Sequence, residues 1–292
     1  MNKKVFTGCG TAMFTPFKGG RIDTEALARQ AVAQADAGMD FLVPLGTTGE
    51  TPTLSDKEKL EILGVVKGHS KGLKVMVGVG TNSVGGTLAN ISLLKDADAF
   101  LVVVPYYNKP PQRGMYEYFK AVAASTDKPI VLYNVPGRTG SNIEAETTLR
   151  LASDVPNIVG IKEASGKIDQ IVEIIKGAPE GFSVLSGNDD DTFRLMKEGA
   201  DGVVSVASNV APKMVADFVH LLQKGDFDAA EAMDRKLTPL FKDLFMEPNP
   251  IPGKAAMGLL GAMENSLRLP LVPALPSTLA RMREILESLK LC

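Results

Sequence analysis

Ile130-Val131-Leu132-Tyr133 and Ile158-Val159-Gly160-Ile161-Lys162 are short, apolar, mostly β-branched runs, and each breaks off on a single polar side chain. Runs of this length without polar alternation read as strands buried on both faces, as in a parallel sheet covered by helices. Working outward, six further runs share the character: 10–14, 41–44, 75–78, 99–104, 183–186 and 202–205. They recur roughly every 25 to 30 residues, which is room for one strand, one helix and two short loops. The intervening stretches carry helix signals. Thr24 reads as the cap of a stretch with Glu25, Leu27, Ala31 and Ala35 that Gly38 ends, Ser55 caps 56–67 in the same manner, and 189–197 and 212–223 read as amphipathic helices. Eight βα units without the long break of a doubly wound sheet predict an α/β fold of the (β/α)8 TIM-barrel type over residues 1–225. Beyond Gly225 the strand signal stops. Residues 226–244, 253–263 and 279–291 read as helices, so 226–292 is expected to form a helical C-terminal extension joined through Glu247-Pro248-Asn249-Pro250-Ile251-Pro252.

In such a barrel the chemistry sits where the strands end. Lys162 closes the sixth run, and a lysine at the end of a buried strand is a costly placement. Removal from water favours the neutral amine over the ammonium, and a neutral amine attacks carbonyls. Two plainer readings stand beside this one: a lysine that snorkels to the surface, and a lysine paired with Glu163. Tyr133 ends the neighbouring run and suits proton transfer at a carbinolamine oxygen, the alternative being a rim tyrosine. Gly46-Thr47-Thr48-Gly49-Glu50 offers two hydroxyls and backbone N–H groups for a small carboxylate, or is simply a tight βα turn. Arg138 could grip a second carboxylate with its guanidinium, or lie on the surface. Gly187 and Val204 fall at the ends of the seventh and eighth runs, and Tyr106-Tyr107 follows the fourth.

Composition narrows the rest. Hydrophobic residues make up 45%, charged residues 23%, and the net charge is −2, an ordinary globular balance that offers no basic surface for nucleic acid. The apolar runs are too short to span a bilayer, so a cytoplasmic protein with no nucleic-acid or membrane partner is expected. Cys9 and Cys292 stand far apart without motif spacing, and only His69 and His220 supply imidazoles; neither a disulfide framework nor a histidine-built metal site is expected.

The segments Gly46-Thr47-Thr48-Gly49-Glu50, Pro105-Tyr106-Tyr107-Asn108-Lys109-Pro110, Tyr133-Asn134-Val135-Pro136-Gly137-Arg138-Thr139-Gly140, Gly160-Ile161-Lys162-Glu163-Ala164 and Asn249-Pro250-Ile251-Pro252 together resemble the dihydrodipicolinate synthase family of pyruvate-dependent class I aldolases, nearly end to end. The resemblance implies that Lys162 forms an imine with pyruvate, with no metal or organic cofactor, and that the derived enamine attacks L-aspartate 4-semialdehyde on the route to diaminopimelate and lysine. It implies a proton relay of Thr47, Tyr107 and Tyr133, pyruvate contacts from Thr48 and Val204, a further substrate contact at Gly187, and a grip by Arg138 on the semialdehyde carboxylate. Tyr107 would reach a neighbouring subunit's site, making a homodimer the smallest active unit, commonly doubled to a homotetramer. N-acetylneuraminate lyases and 2-keto-3-deoxy sugar acid aldolases share the lysine and the barrel; Arg138 favours the small amino acid aldehyde over a sugar acid. Lysine-inhibited members carry an acidic side chain near Gly86 and histidines near Asp56 and Lys59. Although Asn82 and Tyr106 remain, weak or absent lysine feedback is expected here.

Overall fold

The computed structural model describes residues 4–292. Eight parallel strands form a closed barrel: β1 (Gly8–Ala12), β2 (Phe41–Val43), β3 (Lys74–Gly78), β4 (Ala99–Val103), β5 (Ile130–Asn134), β6 (Ile158–Glu163), β7 (Ser183–Ser186) and β8 (Gly202–Ser205). Each pairs with its sequence neighbours, and β8 closes on β1. The helices that follow the strands in turn are α1 (Thr24–Asp36), α2 (Asp56–His69), α3 (Val84–Leu93), α4 (Gln112–Ala123), α5 (Ala145–Asp154), α6 (Ile168–Gly177), α7 (Thr192–Lys197) and α8 (Pro212–Gln223). Three more helices, α9 (Phe227–Asp243), α10 (Ile251–Leu259) and α11 (Pro276–Ser288), complete the chain. Leu237, Leu240, Ala256, Met257 and Met282 from these helices join the same hydrophobic core as the barrel strands, while Ile251 and Ala255 of α10 pack with Ala274 in a small separate cluster.

The expected barrel is therefore observed, with local corrections. β1 begins at Gly8, two residues before the expected start. A Cβ at Gly8 would lie 2.0 Å from Asp40 Oδ2, and one at Gly10 would lie 2.1 Å from the Phe41 ring, so close approach of β2 selects glycine against strand propensity. The N-cap of α1 is Asp23, whose Oδ1 accepts from Ala26 N–H at 3.0 Å. Ser55 caps α2 as expected, in a reciprocal capping box with Glu58. The expected helix at 189–197 opens instead as a 3₁₀ turn, Asp189–Asp191, and becomes α-helical only at Thr192. The last two helices start earlier than expected because prolines occupy their first turns, where a missing N–H is tolerated. A two-stranded hairpin of Phe17–Lys18 and Arg21–Ile22 turns through Gly19 and Gly20.

One irregularity matters to the site. Ile130 pairs with Ile158, but Val131 pairs with Gly160, leaving Val159 as an extra residue in β6. Beyond this bulge Tyr133 is level with Lys162 and Asn134 with Glu163. Register partners in a parallel pair share a face and successive residues alternate. Tyr133 and Lys162 thus lie on one face of the two strands, Asn134 and Glu163 on the other.

Candidate active site

At the C-terminal mouth of the barrel a small hollow of about 50 Å³ is lined by Thr47, Thr48, Tyr133, Arg138, Lys162 and Gly187, among others. A larger one of about 390 Å³ shares Thr47, Tyr133 and Arg138 with it and extends towards Lys59 and Tyr106. Lys162 is 6% exposed, and its Nζ sits 4.3 Å from the centroid of the Tyr133 ring. Among the described residues no carboxylate stands within ion-pairing distance of this amine. Glu163 faces the opposite way, into a buried polar network behind the strands. Its Oε1 accepts from Asn134 Nδ2 at 2.7 Å and Gln170 Nε2 at 3.0 Å, and its Oε2 from Ser165 N–H at 3.1 Å. Burial pushes the Glu163 carboxyl up from the ordinary carboxylate range, and the hydrogen bonds from Ser165, Asn134 and Gln170 oppose that rise. Neither plainer reading of Lys162 fits: it neither reaches the surface nor pairs with Glu163.

Thr47, Thr48 and Gly49 form a single 3₁₀ turn after β2. The first N–H groups of such a turn have no acceptor within it. Surrounding hydroxyls hold the turn from outside: Thr15 Oγ1 donates to Gly49 O at 2.7 Å, and Thr51 Oγ1 to Gly46 O at 2.9 Å. Thr48 is buried, and its Oγ1 accepts from Asn249 Nδ2 at 2.9 Å. Arg138 occupies the helical turn Pro136–Thr139 that directly follows β5, and its Nη2 donates to Asn249 O at 3.3 Å. Asn249, far along the chain, therefore touches both the threonine turn and the guanidinium.

Gly187 lines the hollow beside the lysine strand. A Cβ there would lie 2.6 Å from Ala164 Cβ and 2.9 Å from Glu163 O, so only glycine lets β7 pass this close to the end of β6. Val204 is fully buried in β8, whereas the β8 side of the hollow is lined by Val206. Val206 is held by Asp189, whose Oδ2 accepts from the N–H groups of Val206 at 2.9 Å and Ala207 at 3.0 Å. That role explains why Asp189 is drawn out of a helix; burial also raises its carboxyl pKa. Tyr107 lines neither hollow, is 88% exposed, and has a left-handed backbone with φ of 70°. His69 Nδ1 lies 2.8 Å from Val65 O and His220 Nε2 3.0 Å from Asp40 Oδ2. Among the described residues no helix is long and apolar enough to cross a membrane.

Asn249, Val206 and Asp189 were not singled out as site residues from the sequence. Asn249 stood within the Asn249-Pro250-Ile251-Pro252 motif, which was a signal of kind but not of role. Val206 lies two residues beyond Val204, just past the end of β8, where the backbone has turned helical (φ −91°, ψ −39°), so strand alternation does not find it.

A strand-end lysine without a carboxylate partner, stacked over a tyrosine beside a hydroxyl-bearing turn, defines a class: lyases that engage a carbonyl substrate as a lysine Schiff base. The chain belongs to the dihydrodipicolinate synthetase family, whose sequence model matches residues 5–289. It is 49% identical over 292 residues to the 4-hydroxy-tetrahydrodipicolinate synthase of Thermotoga neapolitana, covering 97% of this chain and 98% of that one. The solved dihydrodipicolinate synthase of Thermotoga maritima superposes with a TM-score of 0.97 at 46% identity, covering 98% of this chain and 99% of that one. The Aquifex aeolicus enzyme gives 0.95 at 43% identity, again over 98% and 99% of the two chains.

Proposed function

We propose that this protein condenses pyruvate with L-aspartate 4-semialdehyde to 4-hydroxy-tetrahydrodipicolinate, the entry to diaminopimelate and lysine synthesis. The observation that carries the reading is the buried Lys162 amine, free of a carboxylate and lying 4.3 Å over the Tyr133 ring. The amine adds to C2 of pyruvate, and the carbinolamine oxygen leaves as water after protonation, giving the imine. Loss of a methyl proton gives the enamine, whose carbon attacks the semialdehyde carbonyl. The amino group of the bound semialdehyde then attacks C2, closing the ring and releasing the Lys162 amine. One water is lost overall, at imine formation.

Tyr133 carries the proton at the carbinolamine oxygen. Thr47 and Tyr107 extend the relay to solvent. The turn at Thr47–Thr48 receives the pyruvate carboxylate, with Gly187 as a further contact and Val206 in place of Val204 on the β8 side, and Arg138 receives the carboxylate of the semialdehyde. The exposure of Tyr107 supports a relay completed by a second copy of the chain, so that a homodimer is the smallest active unit and a homotetramer the doubled form.

Borohydride reduction in the presence of pyruvate, followed by peptide mass mapping, tests the reading. A pyruvate adduct confined to the Lys162 peptide is expected. An adduct elsewhere, or none, rejects it. Parallel assays with N-acetylneuraminate and 2-keto-3-deoxy acids should show no comparable turnover.

A further inference from the structure

Lys254 is a buried amine that the reaction above does not use. It lies in the first turn of α10, is 0% exposed, and its Nζ stands 2.5 Å from Oε1 of Glu50, itself 2% exposed. Nζ also donates to Ser266 O at 2.9 Å and lies 4.2 Å over the Phe17 ring. Arg268 stacks on the same ring at 4.4 Å. Its backbone N–H donates to Glu50 Oε2 at 3.0 Å, and its guanidinium binds Glu58 and the carbonyls of Thr53 and Gly20. Glu50 is the hinge of the site loop. It ends the 3₁₀ turn Thr47–Gly49, begins the turn Thr51–Thr53, and has φ of 54°, a left-handed conformation that a non-glycine residue holds only when its surroundings impose it.

Two charges taken out of water do not explain themselves by stability, because the loss of solvation rivals their attraction. Their placement is explained by what they hold. The C-terminal region grips the threonine turn at two points, Asn249 on Thr48 and Lys254 on Glu50, while Asn249 O also receives Arg138.

We infer that Lys254 is a positioning residue: through its buried pair with Glu50 it sets the Thr47–Thr48 turn at the height of the Lys162 amine and so governs capture of the pyruvate carboxylate. The inference rests on the reading of the turn given under Proposed function. It assigns the C-terminal region a part in substrate binding, beyond covering the barrel.

The test compares the wild-type chain, Lys254→Met, and the charge-balanced double variant Glu50→Gln/Lys254→Met. Each is measured for melting temperature, for the pyruvate concentration that half-saturates borohydride trapping at Lys162, and for KM of the semialdehyde. Lys254→Met strands the Glu50 carboxylate, so its melting temperature falls; the double variant recovers most of that loss. In both, the half-saturating pyruvate concentration is expected to rise by about tenfold, the order expected when a binding group is displaced by a fraction of an ångström. The semialdehyde KM should change less than twofold. Half-saturation within twofold of wild type in the double variant, with its melting temperature recovered, overturns the inference and leaves a structural pair. Wild-type chain without any adduct at Lys162 overturns the assigned reaction, and the inference falls with it.

Discussion

Replacing Tyr133 by Phe isolates one hydroxyl. Tyr133 is 7% exposed and its ring supports the Lys162 amine at 4.3 Å; phenylalanine keeps that ring. Among the described residues the Tyr133 hydroxyl has no hydrogen-bond partner, so its removal leaves no orphaned group, and stability should change by less than about 1 kcal/mol. The proton that must reach the carbinolamine oxygen loses its carrier. A positioned acid–base group is worth about 10²- to 10⁴-fold, or about 3 to 5 kcal/mol of barrier. The imine equilibrium, in contrast, depends on the amine, the ketone and the carboxylate contacts, none of which the substitution touches. Turnover and the rate of approach to the trapped adduct should therefore both fall by about 10²- to 10⁴-fold, while the final amount of pyruvate trapped at Lys162 stays within about twofold. Coupled turnover assays and time-resolved borohydride quenching measure the two quantities on one sample. A fall in turnover of less than tenfold, or loss of the end-point adduct with an unchanged melting temperature, refutes the assignment of the hydroxyl as proton carrier.

Arg138→Met should raise the semialdehyde KM by at least tenfold, the scale of a lost charged hydrogen bond, with pyruvate trapping altered little; steady-state kinetics with each substrate varied in turn decides it. Glu163 offers a pH test. Burial raises its folded pKa above the unfolded value, so its contribution to stability is largest below the unfolded pKa and declines as pH rises through the raised folded one. Glu163→Gln should accordingly gain stability relative to wild type across that interval, read from denaturant unfolding at several pH values; a constant difference would contradict the burial account. Free lysine should inhibit weakly or not at all: Gly86 lies in α3 with no side chain, and Lys59 is bonded to Asp56 at 2.9 Å. A low-micromolar inhibition constant would disprove this.

The parts of the molecule that were legible in its sequence are those governed by local pattern. Strands β7 and β8 and helix α8 run between the expected residues because apolar runs and a proline start mark them. Strand-end logic marks Lys162, Tyr133, Thr47, Thr48, Arg138 and Gly187 as candidates, which the fold brings around one hollow, and it also marks Val204, which does not line that hollow. What local pattern does not carry is coupling across the chain. The glycines of β1 look like strand breakers until Asp40 and Phe41 are packed against them. Asp189 looks like a helix opener until its carboxylate is seen to hold two N–H groups of the loop after β8. The grip of Asn249 on Thr48 spans 201 residues, and no spacing rule joins Lys254 to Glu50. The relay role proposed for Tyr107 rests on resemblance alone, since a tyrosine that lines neither hollow of its own chain gives no physical signal of one; two adjacent tyrosines beside prolines read equally as a packing or oligomer contact.

The extra residue at Val159 sets the phase of everything after it. Counted from Ile158 without the bulge, Tyr133 would be level with Ile161, and the amine of the next residue would project into the helical layer among Asn134 and Gln170. A chain that kept Val159 but paired it with Val131 could retain every motif, every strand and the closed barrel, yet present an isoleucine where the amine belongs, whereas one lacking that valine would keep Tyr133 level with Lys162 with no bulge at all. The reactive face of this barrel is thus written in the parity of a residue count: one residue more or fewer between the bulge and Lys162 would turn the amine away from the mouth while leaving the composition all but unchanged.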